Sequence, residues 1–263
     1  MSRTHGSKEF WLAALRPEIS AFRSAAAEAL DADPEIAVPS CLGWTILDLV
    51  HHLAYVYQRH LSHLSRGLTT DPQLPSIDDG TPADQRPAAT EAIKLFDERA
   101  ERLLTTLEAL DPEMPAWNWA PQAKKVAFWD RRLALETAVH RWDAQMAIAR
   151  AEPIEDRLAA DGVSEVLDTW LPAGGTRRKG PADKIGVVHL LATDTGDEWF
   201  LRLRGQGVAL LDTDTILDSE EPDPRVSASG TASDLLLAMY GRVGFDVLEL
   251  AGDEFLLEAL RVG

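Results

Sequence analysis

The segment Leu133-Ala-Leu-Glu-Thr-Ala-Val-His-Arg-Trp-Asp143 decides how the rest of the chain is interpreted. It contains no glycine or proline, which is typical of the interior of a helix. Glu136 and His140 stand at positions i and i+4, so both side chains leave the same face of that helix. Trp129 and Leu133 lie near this face, which indicates that the two polar groups point toward a core. A buried polar pair of this kind is costly unless it is compensated, and a divalent metal is one compensator.

An ordinary contact between Glu136 and His140 on a partly exposed helix explains the same spacing, because polar pairs at i and i+4 are common. The metal hypothesis therefore requires a third ligand on another helix.

Composition limits the possible functions. The chain has 263 residues, of which 45% are hydrophobic, enough for one large domain or two ordinary ones. A formal net charge of −17 argues against binding to nucleic acid or to an anionic membrane surface. No apolar run is long enough for a membrane span, and the N-terminus lacks the pattern of a signal peptide. The single cysteine, Cys41, excludes an intramolecular disulfide and favours a cytoplasmic location.

The N-terminal half predicts a bundle of four helices. Apolar residues recur at helical spacing in four segments, separated by loops rich in proline and glycine. The segments are 8–31, about 45–66, 84–110 and about 122–150. We expect an up-down four-helix bundle over residues 1–150, an architecture in which sites are built from side chains on facing helices.

The pattern changes after a linker at 151–155. A helix is predicted at 156–171, followed by strands at Ile185–Ala192, Trp199–Arg204, Gly207–Leu211 and Val226–Ser229. A capping box, Thr231-Ala-Ser-Asp234, opens another helix, and a short helix closes the chain at Gly252–Leu260. Residues 156–263 therefore predict a smaller α+β domain, and the fold class is α+β with two domains.

The second predicted helix carries a candidate for the third ligand. Thr45 and Asp48 are spaced as a capping box, so that helix begins near residue 45. His52 is one turn from Leu49 and Val56 and shares their buried stripe, whereas the adjacent histidine is rotated by about 100°. His52, Glu136 and His140 would form a His₂Glu set with one open position, as in catalytic zinc sites.

Two further segments add a resemblance. The stretch Val38-Pro-Ser-Cys-Leu-Gly-Trp-Thr-Ile-Leu-Asp-Leu-Val-His-His-Leu53 resembles a P-x-C-x-G-W-T-x-x-D-L-x-x-H-L segment of the mycothiol-dependent maleylpyruvate isomerase family, within the DinB-like superfamily. The stretch Phe128–Ala144 resembles that family's R-R-x-x-x-E-T-A-V-H-R-W-D-A segment, and Gly230–Arg242 resembles its G-T-A-S-D-L-L-L segment.

This resemblance implies a DinB-like bundle followed by a sterol-carrier-type α+β domain. It also implies a divalent metal, usually zinc, on His52, Glu136 and His140. The cofactor would be mycothiol, whose thiolate adds to the cis double bond of maleylpyruvate, so that rotation and elimination give fumarylpyruvate. One departure is Leu135, where many relatives carry a histidine; this residue adjoins a ligand and bears on the substrate rather than on the metal.

The remaining candidate residues have two interpretations each. Arg242 is the predicted catalytic cation for substrate carboxylates, with Arg177-Arg178-Lys179 as a second candidate, and local pairing or solvation is the alternative for both. Cys41 is expected to be packed inside rather than to act as a nucleophile. Trp44, Trp129 and Trp142 are expected in the core.

Two classes of function follow. The first is a zinc-dependent isomerase or thiol S-transferase that uses a low-molecular-weight thiol such as mycothiol and a small-molecule substrate, as a monomer or homodimer. The second is a non-catalytic metal-binding module, such as a thiol or electrophile sensor or a partner-binding subunit. A lipid carrier built on the second domain is a weaker third possibility.

Overall fold

The structure is a computed structural model that describes residues 6–73, 88–174, 179–181, 183–205, 207–211 and 224–262. The chain divides into two compact units, Met1–Glu152 and Pro153–Gly263. Parts of two predicted loops, including Arg177 and Arg178, lie outside the described residues.

The first unit is helical, as predicted. Its helices are α1 (Lys8–Ala32), α2 (Ile46–Leu64), α3 (Ala89–Ala109) and α4 (Val126–Ala147). The predicted capping box starts α2: the Thr45 side chain accepts from the backbone of Asp48, and the Asp48 carboxylate accepts from the backbone of Thr45. This fixes the register of α2, and with it the direction in which His52 leaves the helix.

The four helices do not simply alternate in direction. Ion pairs and ring contacts show which helix ends are adjacent. Helix α1 meets α4 through Glu18 with Arg141, and Glu28 meets Arg150 just beyond the end of α4. Helix α1 meets α3 through Arg16 with Glu108 and Arg23 with Asp97. Helix α2 meets α4 through His52 with His140 and His60 with Trp129. Consequently α1 and α4 run one way and α2 and α3 the other. The predicted up-down bundle is refined to up-down-down-up.

Helix α4 is the centre of the bundle. Most of its side chains are buried, and they include charged ones such as Asp130, Arg132 and Asp143. Buried charges are costly unless they are paired. Arg141, for example, donates to Glu18 over 2.6 Å. The polar content of α4 therefore has to be explained by partners on the neighbouring elements.

The second unit is a sheet covered by helices. Its helical elements are α5 (Asp156–Glu165), a π-helical turn (Val166–Trp170), α6 (Leu171–Ala173), α7 (Ala232–Met239) and two 3₁₀ turns (Phe245–Val247 and Glu254–Leu260). Its strands are β1 (Ile185–Ala192), β2 (Glu198–Arg204), β3 (Val208–Leu211), β4 (Arg225–Gly230) and β5 (Glu249–Gly252). The order is β3-β2-β1-β4-β5, with β1 and β4 parallel and the other neighbours antiparallel.

The predicted fold class, α+β with a helical N-terminal unit and a C-terminal sheet unit, is confirmed. The prediction missed β5, and the last predicted helix is a 3₁₀ turn. Among the described residues, no helix is both long and apolar enough to cross a membrane.

Candidate metal centre

The three predicted ligand residues come together between α2 and α4. His52 Nε2 lies 3.5 Å from Glu136 Oε1, and His140 Nε2 lies 3.3 Å from the same oxygen. The two imidazole rings meet edge to face with their centroids 4.9 Å apart. One ligand-type atom from each residue lies within 4.8 Å of the others.

These distances fit a metal ion. A tetrahedral site with bonds of about 2.0–2.2 Å has ligand–ligand edges of roughly 3.3–3.6 Å, which matches the separations from Glu136 Oε1 to both imidazoles. The separations are also longer than the roughly 2.9 Å that is usual for an N–H···O hydrogen bond. His52, Glu136 and His140 therefore fit zinc by donor type and by spacing.

The second oxygen of Glu136 is held separately. Arg132, one turn earlier on α4, donates to Glu136 Oε2 over 2.8 Å, and its side chain is only 4% exposed. This bond leaves Oε1 to face the imidazoles. Glu136 is thus arranged to offer one oxygen to a cation while its other oxygen is neutralised by a guanidinium.

The other ring nitrogen of His140, Nδ1, contacts the Asp143 carboxylate. His140 Nδ1 lies 2.9 Å from Asp143 Oδ2, a hydrogen-bond distance. Asp143 accepts in addition from Ser40 Oγ at 2.6 Å and from Cys41 Sγ at 3.3 Å. Cys41, His140 and Asp143 form a second group with ligand-type spacing. The His140–Asp143 separation is that of an ordinary hydrogen bond. We therefore interpret Cys41 and Asp143 as residues that hold His140 in place within the group formed by His52, Glu136 and His140.

The electrostatics of the site favour a cation. Burial acts to raise the pKa of Glu136, but hydrogen bonds from His140 and His52 and the charge of Arg132 outweigh it and hold the pKa well below its usual range. Burial acts to lower the pKa of His140, but hydrogen bonds with Asp143, Cys41 and Glu136 outweigh it and raise the pKa well above its usual range. Surroundings that attract a proton to His140 attract a divalent cation for the same reason.

A short loop before α2 closes one side of the site. Ala37 and Thr45 form an antiparallel bridge, and the Trp44 amide donates to the carbonyl of Cys41 over 3.0 Å. The Trp44 ring lies 4.8 Å from the ring of His52. Trp44 therefore packs beside the candidate ligand His52 at the edge of the core, whereas Trp129 and Trp142 are buried as predicted.

The other histidines have different neighbours. His60 and His63 lie further along α2, with His60 Nδ1 3.2 Å from His63 Nε2. His60 packs on Trp129 with a centroid separation of 3.9 Å. In the second unit, His189 stacks on Phe200. Within the described part of the chain, none of these histidines belongs to a group with metal-ligand spacing.

Arg242 follows α7 in the second unit. Its guanidinium donates to the carbonyl of Tyr240 over 3.1 Å and lies 5.9 Å from the Tyr240 ring centroid. Its predicted catalytic role stays a prediction. Leu135, the departure from the family pattern, is 1% exposed and packs in the core.

Sequence reasoning missed the residues that support the ligands. Arg132 stands at i−4 from Glu136 and Asp143 stands at i+3 from His140, so the helical spacing was a usable signal for both. Ser40 lies in a loop more than a hundred positions from Asp143, and no periodic pattern connects them.

Comparisons with known proteins agree with the family resemblance. The family model for the mycothiol maleylpyruvate isomerase N-terminal domain matches residues 15–145, and the model for the C-terminal domain of the same family matches residues 157–259. A search of curated protein sequences found no match.

Two solved structures of the mycothiol-dependent maleylpyruvate isomerase, one of them a histidine-to-alanine variant, are similar in fold. The variant has a TM-score of 0.60 at 14% identity, and the other has a TM-score of 0.61 at 15% identity. Each match covers 94% of this chain and 93% of the other. Likeness at this identity concerns the fold alone, whereas the two family models together cover most of the chain. The chain therefore belongs to the mycothiol-dependent maleylpyruvate isomerase family, which is a family of enzymes.

Proposed function

We propose that the chain is a zinc-dependent enzyme that uses a low-molecular-weight thiol, with mycothiol as the expected one, to isomerise a small cis-unsaturated acid such as maleylpyruvate. The observation that carries this proposal is the convergence of His52 Nε2 and His140 Nε2 on Glu136 Oε1, at 3.5 and 3.3 Å. A three-ligand set with an open fourth position is the arrangement of catalytic rather than structural zinc.

The side chains around the site prepare it for an anionic thiol. His52 and His140 would offer nitrogen lone pairs, and Glu136 would offer one charged oxygen. Zinc held there would lower the pKa of a coordinated thiol, so that the thiolate is present near neutral pH. Arg132 offsets part of the negative charge that Glu136 brings into the buried site.

Arg242 is the proposed cation for a carboxylate of the substrate. A guanidinium can bind a carboxylate through two parallel hydrogen bonds, which orients the acid as well as attracting it. Arg242→Gln should raise KM or lower kcat without changing zinc affinity. Arg242→Lys should recover part of the loss because the charge is retained. A change in zinc content in Arg242→Gln would instead indicate a structural role.

The central experiment measures zinc and turnover on the same samples. Wild type should bind one zinc per chain and convert maleylpyruvate to fumarylpyruvate when mycothiol is supplied. Glu136→Gln should lose both zinc and turnover. Asp130→Asn, on the same helix but outside the site, should keep both and serves as the matched control.

Other outcomes distinguish the alternatives. Zinc binding without turnover of maleylpyruvate, and without conjugation of a model electrophile such as a chlorodinitrobenzene, would favour a metal-binding sensor or partner-binding module. Conjugation without isomerisation would favour a thiol S-transferase. A cytoplasmic location, with Cys41 as a reduced thiol, and a monomeric or dimeric state remain predictions.

A further inference from the structure

Asp143 is a buried carboxylate that contacts the metal centre only through another side chain. It lies on α4, its side chain is 0% exposed, and it accepts from three donors. The donors are His140 Nδ1 at 2.9 Å, Ser40 Oγ at 2.6 Å and Cys41 Sγ at 3.3 Å. A carboxylate so well supplied with donors is satisfied as an anion despite its burial.

This contact selects one tautomer of His140. An ionised carboxylate can only accept hydrogen bonds, so the proton of a neutral His140 must lie on Nδ1. Its Nε2 then carries the lone pair, and Nε2 is the atom that lies 3.3 Å from Glu136 Oε1. Without the Asp143 carboxylate as acceptor, His140 could carry its proton on Nε2. A protonated Nε2 has no lone pair with which to bind a metal.

The loop before α2 holds the carboxylate in place. Ser40 binds Oδ1 while His140 binds Oδ2, so rotation of the carboxylate would break contacts at both oxygens. The loop itself is braced by backbone bonds from Val38 N to Trp44 O at 2.9 Å and from Cys41 N to Val38 O at 3.0 Å. The motif that precedes α2 thereby contacts α4 beside the second imidazole.

We propose that Asp143 is a positioning residue for the metal centre, and that Ser40 and Cys41 hold it so that His140 presents Nε2 to the metal. This inference rests on the proposed function, because it concerns the site on His52, Glu136 and His140. It assigns a task to the Ser40-Cys41 step of the loop that does not require the thiol of Cys41 to react.

The test compares zinc affinity in the full-length chain, measured by competition with a chromophoric chelator at fixed pH. Asp143→Asn should weaken zinc binding by about 10- to 100-fold, the range for removal of an outer partner of a ligand histidine. Ser40→Ala leaves the Oδ2 contact intact and should weaken binding by a smaller factor, about 2- to 10-fold. Asp130→Asn makes the same chemical change at another buried site on α4 and should bind zinc as wild type does.

A second readout reports the tautomer directly. Long-range ¹H–¹⁵N spectra should place the His140 proton on Nδ1 in the zinc-loaded wild type, and also in the metal-free protein once the pH is high enough for His140 to have lost one of its two ring protons. In Asp143→Asn the metal-free protein should show the Nε2–H tautomer or a mixture. The spectra are compared at a temperature at which circular dichroism and Tm show the variant to be folded, because unfolding would also release His140 from Nδ1 protonation.

Two results would overturn the inference. One is zinc affinity within about twofold of wild type in both Asp143→Asn and Ser40→Ala. The other is a metal-free, folded wild type in which the neutral form of His140 carries its one proton on Nε2. Failure of the wild type to bind zinc would instead overturn the proposed function, and the tautomer would still decide whether Asp143 positions His140.

Discussion

Two buried carboxylates of helix α4, Asp130 and Asp143, have opposite surroundings. Asp143 accepts hydrogen bonds at both oxygens, from Ser40 at Oδ1 and from His140 and Cys41 at Oδ2. Neither oxygen of Asp130 has a hydrogen-bond partner among the residues that the structure describes. Both residues are fully buried, so the difference lies in the partners that neighbouring elements supply.

The histidines of α2 divide in the same way. His52 and His60 lie two helical turns apart on the stripe of α2 that faces α4. His52 meets Glu136 and His140, whereas His60 meets Trp129. Burial and the neighbouring His63 lower the pKa of His60 well below its usual range, which keeps the ring neutral. The residue that lies opposite on α4 therefore distinguishes His52, a candidate metal ligand, from His60, a core side chain.

The largest expected effect tests this division directly. His52→Ala should weaken zinc binding at least about a thousandfold, about 4 kcal/mol, because one of three ligands is lost. His60→Ala should leave zinc affinity within about threefold of wild type and lower Tm instead, because a packed ring is removed. Chelator competition and thermal unfolding of both variants measure the two effects. Equal losses of zinc affinity in both variants would contradict the division.

The next effect concerns Asp130. Burial raises its pKa to about 7, with the charge of Lys8 opposing and that of Glu9 adding to the rise. An unfolded aspartate ionises near pH 4, so the stability that the raised pKa contributes is complete below that pH and is lost as the pH rises through 7. From about pH 5 to pH 8 this loss is about 2–3 kcal/mol. Asp130→Asn should remove this pH-dependent loss of stability.

Denaturant unfolding at the two pH values measures the Asp130 effect. The stability of the variant relative to the wild type should rise by about 2–3 kcal/mol between pH 5 and pH 8. If the difference in unfolding free energy between the wild type and Asp130→Asn is the same at both pH values, Asp130 has an ordinary pKa.

A smaller effect of opposite sign is expected at His63. Burial and the charges of Arg59 and Arg66 lower the pKa of His63 to about 4. The unfolded histidine binds a proton near pH 6.5, so the stability contributed at neutral pH is lost as the pH falls toward 4. His63→Gln should reduce the loss between about pH 7 and pH 5 by about 1.5 kcal/mol. Acid titration of Tm in both proteins checks this, and identical acid sensitivity would count against it.

The smallest expected effect is at Arg132, which donates to the Glu136 carboxylate. Arg132→Gln removes the cation from Glu136 Oε2 but keeps a group that can donate a hydrogen bond. Zinc affinity should fall by about tenfold or less. An increase in affinity would show that the positive charge of Arg132 opposes the metal more than it orders the carboxylate.

The sequence was sufficient to predict the bundle, the α+β unit and the meeting of His52, Glu136 and His140. Helical periodicity gave α1 to α4, and the capping box at Thr45 gave the register that turns His52 inward. These features are local, because they depend on side chains within a few turns of one another.

The rest depends on contacts between distant segments. The direction of α2 and α3 is seen in their contacts with α4 and α1, which no local pattern reports. His60 shares the stripe of His52, so periodicity could not tell them apart; only the register of α4 places Trp129 beside one and Glu136 beside the other. The short strand β5 has half-exposed or exposed residues and too few of them to show an alternating pattern.

One consequence of the helix arrangement concerns assembly. His52 and Glu136 are 84 positions apart, and α3 lies between them in the sequence. Joining such distant groups carries the entropic cost of closing a long loop. In a small finger domain zinc bridges near neighbours and so drives folding, whereas here the bundle has to bring the three candidate ligands together before a metal could bind. Chelation should therefore leave the helical circular dichroism of the protein intact.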